Sequence, residues 1–110
     1  MEISVKTKEN ITILELNGRL DTTNYNEIEK KFDELIGNNQ INILVDCEKL
    51  DYISSSGLRV LLKSLKSINS AKGKFILCSL QENINEVFEI SGFTSIFQIF
   101  KNQEDAIENF

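Results

Sequence analysis

Histidine is absent from the sequence, and that one absence removes a good deal of chemistry. A serine or cysteine nucleophile has no imidazole to take its proton, and no metal site can use the commonest ligand. Cysteine is scarce. Cys47 and Cys78 cannot complete a four-ligand zinc site alone, and they stand in no paired spacing such as C-x-x-C. Each lies in or beside an apolar run, so both read as buried free thiols of a protein kept in a reducing compartment. Glycine occurs only singly, at Gly18, Gly37, Gly57, Gly73 and Gly92. Neither G-x-x-x-x-G-K-[ST] nor G-x-G-x-x-G can be found, which excludes the usual phosphate-cradling loops.

Other absences bound the partners. There is no proline, no Gly/Ser linker, no low-complexity tract and no internal repeat to divide the chain. No apolar run reaches membrane-spanning length, and Met1-Glu2-Ile3-Ser4-Val5 offers no basic leader. A cytoplasmic protein without membrane insertion is expected. Arginine appears only as Arg19 and Arg59, and the net charge is −5. Such a field repels phosphates, so direct contact with nucleic acid is not expected. The densest basic stretch, Lys63, Lys66, Lys72 and Lys74, reads as the wet face of a helix and the turn after it.

What is present suits one ordinary domain over residues 1–110, with 41% apolar residues to make a core. Ile3 and Val5, then Ile11, Ile13, Leu14 and Leu16, predict a hairpin joined by a polar connection over Lys6 to Asn10. Tyr25, Ile28, Phe32, Leu35 and Ile36 recur at helical spacing, with Thr23 or Asn24 as cap and Gly37 as stop. Ile41 to Val45 predicts a strand covered on both faces. Leu58, Leu61, Leu62, Leu65 and Ile68 draw the stripe of a helix beginning near Ser56. Phe75 to Leu77 follow as a buried strand, and Ile84, Val87 and Phe88 as a short helix ended by Gly92. Ile96, Phe97, Ile99 and Phe100 read as a strand, and Asn102 as the cap of a last helix. The alternation predicts an α/β fold with a mixed, mostly parallel sheet, an N-terminal hairpin and about four helices.

The seventeen acidic residues include no pair whose spacing marks it as catalytic. The expectation is a protein that is not an enzyme and carries neither metal nor cofactor. One segment stands out, from Asp46 through Ser54-Ser55-Ser56-Gly57 to Arg59. It leaves a buried strand at its carboxyl end and enters an amphipathic helix, the edge where open α/β sheets receive ligands and partners. One hydroxyl suffices to cap a helix, and here there are three. Gly57 in a first turn costs about 1 kcal/mol against alanine, which points to a close approach by a partner's backbone. The rival reading of the same residues is a capped helix followed by surplus loop serines.

The run from Asp46 to Leu58 resembles the signature of STAS domains, especially the bacterial anti-sigma factor antagonists. An aspartate at the end of a strand is followed by Leu50, Tyr52 and Ile53, and then by a D-S-[ST]-G-L-like stretch at Ser54 to Leu58. Gly18-Arg19-Leu20-Asp21 is similar to the family's G-x-L-D, Ser91-Gly92-Phe93 to its S/T-G-[LF] turn, and Glu104-Asp105-Ala106 to the opening of its final helix. Ser54 stands where many members carry aspartate. The resemblance implies a STAS fold and phosphorylation at Ser55. It also implies partner contacts involving Asp21, Ser54, Ser56, Gly57 and Arg59. The implied partners are an anti-sigma factor that is itself a serine kinase, and a serine phosphatase. Asp21 serves equally well as a cap of the first helix, Arg59 as a surface charge, and Asp46 as an acceptor of backbone bonds. Two other readings are a STAS subunit of a membrane transport system and a nucleotide-binding domain.

Overall fold

The computed structural model describes residues 1–110 as one five-stranded sheet with four α-helices. Strands β1 (Glu2–Lys8) and β2 (Ile11–Leu20) form the antiparallel hairpin. Its turn is tighter than the polar run suggests, because Lys8 already pairs with Ile11 and Glu9 takes a left-handed φ of 57°. Then follow α1 (Tyr25–Gly37), β3 (Asn42–Ile53), α2 (Ser55–Ser70), β4 (Lys74–Cys78), α3 (Glu82–Ile90), β5 (Gln98–Phe100) and α4 (Gln103–Glu108). Strand order equals chain order, and β2 through β5 run parallel.

The sheet separates two cores. On one side Leu14, Leu16, Val45 and Leu77 meet Ile28 and Phe32 of α1, Leu61 and Ile68 of α2, and Ile84 and Phe88 of α3. On the other side α4 covers a smaller cluster, placing Ala106 against Ile11, Ile13, Leu44, Ile76 and Cys78. Strand residues alternate between these faces, as the pleat requires. Cys47 belongs to the larger core and Cys78 to the smaller, so the sheet itself keeps the thiols from bonding. Burial pushes both thiols up, that of Cys78 to about 11, which holds them neutral and unreactive.

Helix α1 ends at Gly37 as expected, and the left-handed reversal follows at Asn39, which adopts φ 62° while the Gln40 amide donates back to the Leu35 carbonyl. Two later boundaries differ from the sequence expectation. Ile96 is outside any strand and half exposed, because Phe93–Ser95 form a 3-10 turn and β5 begins only at Gln98. Most consequentially, β3 does not end at Asp46 but runs on to Ile53. Its register against β2 slips twice, between the Glu15–Asp46 and Asn17–Lys49 pairs and again between Gly18–Leu50 and Arg19–Tyr52. Each slip puts one extra residue in β3. The residues it sends into the larger core therefore recur every third position, at Cys47, Leu50 and Ile53. A period of three looks like neither strand nor helix.

Candidate functional site

Beyond Asp46, β3 has lost β4 as a neighbour and keeps only β2. Side-chain amides stand in for the missing strand: Gln81 Nε2 donates to the Glu48 carbonyl at 2.8 Å and Asn83 Nδ2 to the Asp51 carbonyl at 3.0 Å. The ends of β2 and β3 project together and are clasped where the Ser54 amide donates to the Leu20 carbonyl at 2.9 Å. The chain then turns into α2.

The three serines take different roles there. Ser54 is the N-cap, with extended backbone, and its Oγ accepts from the Gly57 amide at 3.2 Å. It thus does the capping work that an aspartate would do, without the charge. Ser55 opens the helix and is exposed, and no hydrogen bond within the chain engages its hydroxyl. Ser56 is half-buried. The amides of the first turn lack intrahelical acceptors and only one is taken by Ser54, so the surroundings of Ser55 favour negative charge.

Gly57 requires a correction. It was expected to leave room for a partner, at an exposed helix start. It is buried instead, and a Cβ there would stand 2.7 Å from Leu20 Cγ and 2.9 Å from Ile53 Cγ1. The missing side chain lets the helix sit on the clasped strand ends, so Gly57 serves packing within the chain and is no exposed opening. Arg59 is exposed, two residues further along the helix.

Asp21 lies on the connection after β2 and does not cap α1. Its Oδ1 accepts from the Thr23 amide at 2.9 Å and from Thr23 Oγ1 at 2.6 Å. These bonds, with Arg19 nearby as a smaller influence, hold its carboxyl below the usual carboxylate range. The α1 N-cap is Asn24, but its side chain reaches backwards, accepting from the Asp21 amide and donating to the Arg19 carbonyl. Asp46 is remote from this cluster and structural: its carboxylate accepts from the Glu48 amide and from Gln103 Nε2, which also reaches Glu15. These bonds fasten the start of α4 to the sheet.

Two residues of the cluster were not singled out as site residues from sequence. The Arg19 guanidinium lies 4.1 Å from the centroid of the Tyr52 ring, and its Nε is 3.7 Å from Asp21 Oδ2. The signal for this pair is the Arg19–Tyr52 register, which exists only once the second slip in β3 is known.

No group of three or more potential metal ligands occurs, and no helix is long and apolar enough to cross a membrane. The family model described as "STAS domain" matches residues 2–106. A protein of Bordetella bronchiseptica named as an anti-sigma factor antagonist, BtrV, is 34% identical over all 110 residues, which is 95% of its own length. The crystal structure of a protein of Thermotoga maritima, likewise titled an anti-sigma factor antagonist, superposes with a TM-score of 0.94 at 28% identity. That match covers 97% of this chain and 92% of the other. The Bacillus cell fate determinant SpoIIAA in its phosphorylated form shares the fold, with a TM-score of 0.78 at 22% identity over 98% of both chains.

Proposed function

The chain belongs to the STAS domain family, and from that premise we propose that it is an anti-sigma factor antagonist switched by phosphorylation of Ser55. Unphosphorylated, it binds an anti-sigma factor that is itself a serine kinase and so frees a sigma factor for transcription. Phosphate on Ser55 breaks the complex, and a serine phosphatase restores it. The partner supplies ATP, magnesium and the catalytic groups. This chain supplies the serine and the surface around it: Asp21, Ser54, Ser56 and Arg59. Its relatives' names support this reading over a transport subunit.

The observation that carries the proposal is the division of labour at the helix start. Ser54 is occupied as the cap, whereas Ser55 is exposed with a free hydroxyl. A phosphate there is tolerated by the free chain, because it sits at a helix N-terminus. In a closed interface it must be desolvated against whatever the partner presents. A penalty of about 3–4 kcal/mol weakens binding a few hundredfold, which releases a submicromolar partner.

The test is incubation with the cognate kinase and ATP, followed by intact mass and site mapping. Ser55→Ala is expected to bind and to refuse phosphate, and Ser55→Asp to bind poorly. Ser54→Ala and Ser56→Ala are expected to remain substrates. Full phosphorylation of Ser55→Ala would falsify the assignment.

A further inference from the structure

Arg19 and Tyr52 stand opposite each other on the last rungs of β2 and β3, immediately before the clasp that leads into Ser55. Their successors Leu20 and Ile53 are buried in the larger core, so Arg19 and Tyr52 stand on the other face of the same strand ends. The Arg19 side chain is 60% exposed, yet it is not free to wander. It lies on the aromatic ring, its own carbonyl is held by Asn24, and Asp21 stands beside its Nε.

That arrangement leaves the guanidinium without a hydrogen-bond acceptor in the chain, its terminal nitrogens open to solvent or to a partner. Its contact with Asp21 is 3.7 Å, beyond hydrogen-bond length, and it runs through Nε, so the terminal nitrogens have no acceptor in the chain. Asp21 cannot swing closer without releasing Thr23, which donates twice to its Oδ1. The result is a planar, pre-ordered fork of donors beside an exposed tyrosine. A carboxylate is the group that matches such a fork two bonds at a time.

We propose that Arg19, held over Tyr52, is a specificity-determining residue that selects an anti-sigma partner presenting an Asp or Glu side chain to it. The inference rests on the proposed function and names one feature of its partner. A net charge of −5 favours long-range encounter with basic surfaces and does not favour an acidic group. An acid at this one place therefore acts on register and partner choice more than on encounter. Arginine and tyrosine are also the residue types that dominate binding when they sit ordered in an interface.

The experiment measures Kd of the unphosphorylated chain for its cognate anti-sigma factor, together with kcat and KM for phosphorylation. Arg19→Ala is expected to weaken binding about 10-fold and Arg19→Glu about 100-fold, with KM raised and kcat kept. Arg19→Lys restores only part of the loss, since an ammonium cannot form the fork. Tyr52→Leu weakens binding severalfold at unchanged melting temperature. Reversing one partner carboxylate to lysine is expected to rescue Arg19→Glu. Binding of Arg19→Glu equal to the parent, with Ser55 still phosphorylated, overturns this inference and leaves the proposed function standing. Weakened binding that no partner carboxylate reversal rescues overturns the acidic complement. A parent chain that the kinase neither binds nor phosphorylates overturns both.

Discussion

From Asn42 to Asp46, β3 lies between β2 and β4; from Cys47 to Ile53 it has β2 alone beside it. Ile43, Leu44 and Val45 of the inner half are fully buried, serving both cores at once. In the outer half only every third residue is buried, and the residues between (Glu48, Lys49, Asp51 and Tyr52) reach solvent. Even its backbone is held partly by side chains, Gln81 and Asn83, where the inner half has a strand. The contrast teaches where this fold keeps its stability and where it leaves the surface of the proposed site. The inner half cannot vary without a cavity. The outer half carries the clasp, the serines and the Arg19–Tyr52 stack on little more than one strand pair.

The sharpest way to test that contrast is to empty the inner half. Leu44→Ala removes a fully buried side chain and is expected to cost about 2–5 kcal/mol, read as a lowered denaturant midpoint at constant slope. Asp51→Ala, in the exposed outer half, is expected to stay within about 0.5 kcal/mol of the parent. Equal losses at the two positions would erase the distinction.

A smaller loss is expected at the join. Gly57→Ala gains up to about 1 kcal/mol of helix propensity. It must also push a Cβ against Leu20 and Ile53, at 2.7 and 2.9 Å, and overpacking costs about 1–3 kcal/mol. The collision wins, because both neighbours are buried and cannot step aside. Net destabilisation of about 1–2 kcal/mol by thermal melting is the outcome that supports this; a raised melting temperature would return Gly57 to the solvent.

The smallest effect concerns the substitute for the missing strand. Gln81→Ala and Asn83→Ala each remove one exposed side-chain bond to a β3 carbonyl, worth about 0.5–1.5 kcal/mol at most. Hydrogen exchange is the better readout. Amides of residues 48–53 are expected to exchange faster in the double variant, with those of residues 43–45 unchanged. Uniform acceleration would mean that the two halves open together.

Much of this was legible in the chain itself. Helical spacing located α1 and α2, and Asn102 was recognisable as the cap of α4, where its side chain accepts from the Asp105 amide. The run from Ile41 to Val45 read correctly as a strand covered on both faces at Ile43 to Val45, although β3 begins at Asn42 and Ile41 lies just outside it. The lack of histidine, and of any paired-cysteine or clustered-glycine motif, set aside the common catalytic and phosphate-loop chemistries before any fold was known. Such features depend on neighbours within a few residues, where periodicity and capping act.

The outer half of β3 was not legible, and the reason is physical. A bulge is a relation between two strands, so the third-residue rhythm of Cys47, Leu50 and Ile53 has meaning only against Leu16, Gly18 and Leu20 of β2. The same dependence decided Gly57, whose local setting says exposed first turn while Leu20, thirty-seven positions earlier, says buried. It also brought Arg19 over Tyr52 and sorted three adjacent serines into a cap, an exposed hydroxyl and a half-buried one. The sequence by itself determined most of the elements and the order in which they alternate, because periodicity and capping act between near neighbours. Strand register and close packing, set by residues far apart in the chain, decided which side chains around Ser55 are exposed and which are buried.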